Sequence, residues 1–201
     1  MICPSECVGC QNFPCIDVDH SRYIVPGIAI DPATVRIILI SEAAPAATAD
    51  YYYAGAGSLF AQTTVEAFRD AGAPVSTLDD ILGLGVYLTT AVKCGKTGYG
   101  VATATVQECS VILGEELALF PNVRALLLMG DVAIKALNTI AKRAGEPRVI
   151  PAGATYKLRG GEYFFREIRA FPSYLQAGPS FYIEKTKRKA IAEDIAAALV
   201  W

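Results

Sequence analysis

The sequence has no large excess of charge of either sign, because 18 lysine and arginine residues are balanced by 20 aspartate and glutamate residues, giving a net charge of −2. This balance supplies no bulk attraction for a polyanion, so any nucleic-acid binding has to come from a local basic patch. The chain also lacks a run of about 18 uncharged apolar residues, since the uncharged stretch 51–65 is interrupted by Gly, Ser, Gln and Thr. A membrane-spanning helix is therefore not expected.

The first residues also lack the features of a secretory signal, since Met1-Ile2-Cys3-Pro4 has neither a basic flank nor an apolar segment. We therefore expect a soluble protein in the reducing cytosol, where disulfides are rare. Hydrophobic residues make up 53% of the 201 residues, which is enough apolar mass for a core. With no internal repeat or low-complexity linker, the simplest organisation is a single domain over residues 1–201, with residues 1–30 as a cysteine-rich lead.

The hydrophobic pattern predicts alternating strands and helices. Residues 34–40, 86–92 and 123–129 have the near-continuous apolar character of strands covered on both faces, and helical spacing fills 59–71, 103–120 and 131–144. This alternation predicts a three-layer α/β/α fold with a mainly parallel central sheet. Two β-like segments, 154–158 and 163–170, are predicted to form a hairpin across Gly160-Gly161, followed by a last helix over 181–200.

Ligands of open parallel sheets bind at the carboxyl ends of the strands. The segments expected to form a site are therefore 41–54, 94–100, 130–131 and 171–173.

Six cysteines stand out in a chain of this kind: Cys3, Cys7, Cys10, Cys15, Cys94 and Cys109. Thiolates at close spacing in a cytosolic protein suggest Zn²⁺ or an iron–sulfur cluster. The alternative is a peripheral zinc knot in the lead, with the last two cysteines acting as small buried hydrophobic residues. The spacing C-x3-C-x2-C also matches that of radical-SAM enzymes, but here it opens the chain and has Gly9 where those enzymes carry an aromatic residue.

Several segments together resemble the uracil-DNA glycosylase superfamily, most closely its iron–sulfur (family 4) branch. Cys7-Val-Gly-Cys10 is similar to that branch's C-x-x-C, and Tyr87-Leu-Thr-Thr-Ala-Val-Lys-Cys94 to its Y-I-T-N-V-V-K-C. Leu127-Leu-Met-Gly-Asp-Val-Ala-Ile-Lys-Ala136 resembles its strand-Gly-helix segment. The resemblance implies a structural [4Fe–4S] cluster held by Cys7, Cys10, Cys94 and Cys109, with Cys3 or Cys15 as an alternative to either of the first two ligands.

The resemblance also implies residues for the reaction, in which a glycosylase extrudes a nucleotide, stacks its base and aims a water at the sugar. Ser41-Glu-Ala-Ala-Pro45 is similar to the family's G-E-A-P-G, which makes Glu42 the expected water-orienting carboxylate and Asp50 a second catalytic candidate. A capping carboxylate is the alternative for both. Counting back from Ala54-Gly55-Ala56-Gly57 places Tyr52 where the family stacks the base, with Ser41 and Thr90 as further base-binding candidates.

Two positions depart from the family. Thr90 replaces the Asn that reads the base edge, and a hydroxyl lacks the paired donor and acceptor of a carboxamide. The family's H-P-[ST] motif appears as Phe171-Pro172-Ser173, so the histidine that stabilises the leaving base is missing. The single histidine, His20, lies in the lead and is expected at the surface.

DNA contacts are nevertheless expected from Lys96, Pro172, Ser173 and Tyr174, with Tyr174-Leu175 as a wedge in a base step. The basic run 185–189 is interpreted first as a solvated helix face. The leading hypothesis is a monomeric, cluster-bearing, DNA-binding glycosylase-like protein that removes a damaged, deaminated base. The alternative is a non-catalytic nucleic-acid-binding or cluster-sensing protein on the same scaffold, and a third hypothesis is a small-molecule-binding α/β protein.

Overall fold

The protein is built around one six-stranded sheet in a computed structural model that describes residues 1–55 and 57–201. In sheet order the strands are β1 (Val18–Asp19), β3 (Val86–Lys96), β2 (Ile37–Ala44), β4 (Ala125–Met129), β6 (Ile168–Ser173) and β5 (Tyr163–Phe165). The four central strands are parallel, and β1 and β5 are antiparallel edge strands. The prediction of a mainly parallel sheet is confirmed.

Eight α-helices accompany the sheet within the described residues. They are α1 (Pro4–Cys7), α2 (Leu59–Asp70), α3 (Leu78–Gly83), α4 (Thr103–Leu117), α5 (Asp131–Arg143), α6 (Thr155–Leu158), α7 (Ser180–Ile183) and α8 (Lys185–Leu199). Alternate residues of β2 enter opposite cores: Ile38 and Ile40 pack under α4 and α5, whereas Ile37 and Leu39 pack under α2 and α8. Both faces of the sheet are covered, so the three-layer α/β/α architecture is confirmed.

The predicted C-terminal hairpin is wrong in its first strand and in its turn. Residues 154–158 contain the short helix α6, and the hairpin joins β5 to β6 across Arg166 and Glu167 instead of Gly160-Gly161. Arg166 takes the left-handed conformation with φ 56°, so the turn is made without the glycine pair that the sequence offered. The last predicted helix is divided at Glu184 into α7 and α8.

The N-terminal lead is fastened to the sheet at several points. Ile2 and Ile30 form an antiparallel bridge, and β1 pairs with the end of β3. The Asp17 carboxylate accepts hydrogen bonds from the Ala102 N–H (2.6 Å) and the Thr105 hydroxyl at the start of α4. These bonds hold the pKa of Asp17 below its ordinary value.

No helix in the described part of the chain is both long and apolar enough to cross a membrane.

Candidate functional site

Polar residues gather at the carboxyl ends of the parallel strands. Ser41 and Glu42 lie on β2, and Thr90 is the register partner of Ser41 on β3. Ser173 ends β6 and pairs with the last residue of β4, which is followed by Gly130. The structure thus brings the predicted site segments to one edge of the sheet.

Glu42 lies against the N-terminus of α5. Its half-buried carboxylate has Oε1 3.5 Å from the backbone N of Val132, in the first turn of α5, where the helix dipole favours negative charge. Gly130 makes this approach possible, because it has φ +103° and a Cβ there would lie 2.5 Å from Oε1 of Glu42. The position of Glu42 is therefore compatible with both the helix-capping alternative and the catalytic interpretation, since a partly exposed carboxylate at a helix N-terminus can have either role.

Asp50 lies in a single 3₁₀ turn, Thr48–Asp50, between β2 and α2. Its backbone carbonyl accepts a hydrogen bond from the Ser58 hydroxyl at 2.8 Å, whereas its carboxylate makes none with the described residues. Nothing in this geometry brings the Asp50 carboxylate to Glu42, and its catalytic role stays a prediction.

Tyr52 is fully buried at the centre of a hydrogen-bond network. Its hydroxyl bonds to the Ser41 hydroxyl and accepts from Nε2 of Gln176 at 2.8 Å, and burial raises its pKa to about 12. The ring packs edge-on against Phe60 with centroids 5.3 Å apart. Because no face of the ring is exposed, the predicted stacking role would require this loop to open; Ala56, in the glycine-rich stretch used to place Tyr52, lies outside the described residues.

Gln176 is a site residue that the sequence analysis missed. It follows β6 and, besides Tyr52, contacts the hydroxyls of Ser41 and Thr64, both at 3.2 Å. It thereby ties the loop after β6 to β2 and α2. No local pattern marks it, because an amide in a loop is usually solvated and only the fold buries this one.

Two buried hydroxyls at this edge have no hydrogen-bond partner among the described residues, those of Thr90 and Ser173. The Ser173 hydroxyl lies near enough to the Asp194 carboxylate to lower its pKa, but it makes no bond of normal geometry. Burial has the larger effect and raises the pKa of Asp194 above its ordinary value, although Arg159 bonds to it at 2.7 Å. Buried polar atoms are usually satisfied, so both hydroxyls are candidates for contact with a ligand.

The remaining predicted DNA-contact residues surround this edge. Pro172 is buried opposite Leu128, Lys96 ends β3 half-buried, and Tyr174 is half-buried just after β6. Phe171 faces the α2 and α8 layer, where the Arg169 guanidinium carbon lies 4.8 Å from the centroid of its ring. Among the described residues, no imidazole replaces the missing histidine at this edge.

Four cysteines line one cavity of about 270 Å³ between the lead, β3 and α4: Cys10, Cys15, Cys94 and Cys109. Burial is the main cause that raises the pKa of Cys94 to about 12 and that of Cys109 to about 11, and the proximity of the other thiols raises both further. Cys7 is exposed at the end of α1, and Cys3 contacts the Ser5 hydroxyl at 3.2 Å; neither lines the cavity. Of the ligands implied by the resemblance, Cys10, Cys94 and Cys109 are brought together and Cys7 is not.

His20 also lines this cavity and is half-buried. Its Nδ1 lies 3.4 Å from the Cys94 sulfur and its Nε2 lies 2.6 Å from the Cys15 carbonyl oxygen. The backbone N–H of Phe13 donates to the Cys10 sulfur at 3.3 Å. The signal available in the sequence was the position of His20 close to the cysteines of the lead.

Within the described residues, no group of three or more His, Cys, Asp or Glu side chains is arranged so that it could hold a metal ion. The four thiols share the lining of one cavity.

Fold and site together define an α/β protein with a polar site at the carboxyl edge of a parallel sheet. The sequence profile of the Uracil DNA glycosylase superfamily matches residues 29–197, so the chain belongs to that superfamily. It is similar to the "Type-5 uracil-DNA glycosylase" of Thermus thermophilus, with 29% identity over 100 residues. That alignment covers 50% of this chain and 46% of the relative, so the chain spans about half the length of the curated protein it matches.

Proposed function

We propose that this protein is a DNA glycosylase of the iron–sulfur kind that hydrolyses the N-glycosidic bond of a deaminated base, with Glu42 orienting the attacking water. The observation that carries the proposal is the position of Glu42, whose half-buried carboxylate lies at the N-terminus of α5 against Gly130. Superfamily membership supplies the reaction class. DNA is the proposed partner, and it would be bound with its damaged base extruded from the helix.

Two steps of such a reaction have candidate groups at this edge, the activation of the water and the binding of the nucleotide, whereas among the described residues no imidazole is present there to stabilise the departing base. Positive charge develops on the sugar and negative charge on the departing base. The Glu42 carboxylate can accept a proton from a water and stabilise the sugar cation, and its contact with the Val132 amide holds it in position. The hydroxyls of Thr90 and Ser173 are fully buried, so they would bond to the base edge or to a phosphate only where this edge opens to admit the nucleotide.

A second candidate function, binding of DNA without base release, is favoured by one specific observation. Phe171 occupies the position of the family's leaving-group histidine and is packed into the core beside Arg169, so it offers no donor to a departing base. His20, the single histidine, lies by the cysteine cavity. This candidate requires the same DNA surface but no role for Glu42.

Base release separates the two candidates. Oligonucleotides bearing uracil, hypoxanthine or xanthine are incubated with the protein and abasic sites are measured. Glu42→Gln should lower release by about 10²- to 10⁴-fold, the usual contribution of a positioned acid or base. Glu167→Gln is the matched control and should have little effect, because this exposed carboxylate lies in the turn between β5 and β6, at the opposite end of β6 from Ser173. No release from any of the three substrates would exclude the enzyme and leave the binding protein.

We further propose that a [4Fe–4S] cluster is held by Cys10, Cys15, Cys94 and Cys109, with Cys15 in the place that the resemblance implied for Cys7. The four thiols fit because they line one cavity. Burial raises the pKa values of Cys15, Cys94 and Cys109, and these values fall when a cationic centre binds the thiolates. Bound there, the cluster would supply a cross-link that joins the lead to β3 and α4. A donor for one of its sulfur ligands is in place at the backbone N–H of Phe13, which donates to the Cys10 sulfur.

A further inference from the structure

A surface of tyrosines and lysines adjoins the site and is not used by the proposed chemistry. It consists of Lys96 and Tyr99 after β3, Tyr174 after β6, and Lys187 on α8, and we call it the tyrosine–lysine surface. Since β2 and β4 lie between β3 and β6 in the sheet, the two loops leave the sheet on either side of Glu42 and Gly130. The two loops therefore flank the part of the edge at which Glu42 lies.

Tyr99 is fully exposed, with a relative accessibility of 102%. It stands between Gly98 and Gly100, where an added Cβ would meet no atom within 4 Å, so the loop is open on both sides of the ring. Lys96 Nζ lies 5.7 Å from the ring centroid. An accessible π face with a cation beside it therefore projects next to the site.

Tyr174 is half-buried and held in place by cations. Lys187 Nζ lies 5.6 Å from the centroid of its ring and the Arg159 guanidinium carbon lies 6.0 Å from it. Lys187 Nζ also donates a hydrogen bond to the Glu184 carboxylate at 2.8 Å. The two lysine–tyrosine pairs, Lys96 with Tyr99 after β3 and Lys187 with Tyr174 after β6, together form this surface.

The pairing of aromatic rings with lysines fits single-stranded DNA better than double-stranded DNA. Lysines alone can bind the phosphates of a duplex, whose bases are stacked on each other and offer no free face. Unpaired bases do offer a face, and stacking on an exposed aromatic ring is the usual device for binding them without regard to sequence. In a chain with a net charge of −2, Lys96 supplies local positive charge that DNA needs, and Lys187 adds to it when a phosphate replaces its partner Glu184.

We propose that the tyrosine–lysine surface binds unpaired DNA, with a nucleobase beside the target stacked on Tyr99 and neighbouring phosphates bound by Lys96 and Lys187. This inference deepens the proposed function by naming single-stranded or locally melted DNA as the substrate form. It rests on that function only for the identity of the target base.

The test is a binding measurement on undamaged DNA, so that its outcome does not depend on base release. Fluorescence anisotropy compares a labelled single strand of about 12 nucleotides with its duplex. The single strand should bind more tightly. Tyr99→Ala should weaken single-strand binding by about tenfold or more, the effect of losing one stacked base, whereas Tyr99→Phe should retain it. Lys96→Ala should reduce the slope of log affinity against log salt concentration by about 0.7, the value for one phosphate contact on a single strand.

Lys142→Ala is the matched control, because this exposed lysine lies in the last turn of α5, at the opposite end of that helix from Gly130, and should leave affinity unchanged. Tyr99 makes so few contacts that its variants should fold normally. Equal or tighter binding of the duplex, or equal losses with Tyr99→Ala and Tyr99→Phe, would overturn the proposal. Single-strand binding without any base release would uphold it while removing the proposed catalysis.

Discussion

The most informative single perturbation is at the buried ion pair of Lys93 and Glu116 beneath the site. Both side chains are completely inaccessible. Lys93 Nζ bonds to the Glu116 carboxylate, to the Thr89 hydroxyl and to the Thr90 carbonyl, the last two at 2.7 Å, which uses all three of its protons. Glu116 also accepts from the hydroxyls of Tyr87 and Thr89, at 2.7 and 2.8 Å.

Removing only the positive partner should be costly. Lys93→Met keeps most of the volume but leaves the Glu116 carboxylate unpaired in the core, a change that typically costs about 3–5 kcal/mol. Against a total unfolding free energy of about 5–15 kcal/mol, this is a large fraction. For a domain of this size it corresponds to a fall in Tm of about 6–20 °C.

The double variant Lys93→Met/Glu116→Gln should recover about 1–3 kcal/mol of that loss, because the charge is gone while the amide oxygen still accepts from Tyr87 and Thr89. Urea unfolding followed by circular dichroism measures both effects, under anaerobic conditions and at equal iron content, since a bound group adds its own stabilisation. Lys187→Met is the control, because its pair with Glu184 is about half exposed and should be worth no more than about 1 kcal/mol. A loss below about 1 kcal/mol for Lys93→Met would refute the reasoning, since an unpaired buried charge has to cost more than an exposed pair.

Three further predictions concern the cysteines, a glycine and the lead. Cys15→Ser should remove most of the bound iron and the visible absorption of the purified protein, whereas Cys7→Ser should leave both unchanged; the reverse result would restore the ligand set implied by the resemblance. Gly130→Ala should cost about 1–3 kcal/mol, because the new Cβ strains a φ of +103° and displaces the Glu42 carboxylate, and on the proposed mechanism it should abolish base release; Gly83→Ala, in open space on α3, should do neither. Asp17→Ala should cost about 0.5–2 kcal/mol at neutral pH by removing a cap of α4. The folded pKa of Asp17 lies below its ordinary value of 3.8, so the stability difference between the wild type and Asp17→Ala should be complete above pH 3.8 and vanish as the pH falls through the folded pKa. A stability difference that stays constant with pH in acid unfolding curves would contradict this.

The order of the longer strands and helices between residues 34 and 144 followed from hydrophobic pattern, whereas the short elements α1, β1 and α3 were not predicted. The predicted strands were too short at their carboxyl ends: β2 continues to Ala44 and β3 to Lys96, beyond the apolar runs 34–40 and 86–92. Those extensions carry Glu42 and Cys94, because site residues interrupt the apolar pattern that identifies a strand. The C-terminal hairpin was misplaced for a different reason, since Gly160-Gly161 has the composition of a tight turn but only the pairing of β5 with β6 decides where the chain reverses.

Sequence alone determined what depends on residue type and local spacing. Two-sided apolar strands alternating with amphipathic helices require a covered parallel sheet, and that sheet directs the residues after its strands to one edge, where Glu42, Thr90 and Ser173 lie. The sequence alone also showed that position 171 carries no imidazole, because the residue there is Phe171.

Tertiary structure alone decided which distant groups meet. Four of six equivalent thiols face one cavity because β1 pairs with β3 and folds the lead back over α4, a contact between residues far apart in the chain that no local pattern encodes. The same holds for Gln176 and Tyr52, which are buried by the docking of two loops. Burial and long-range contact are properties of the assembled chain, and they decide which chemically identical side chains can act.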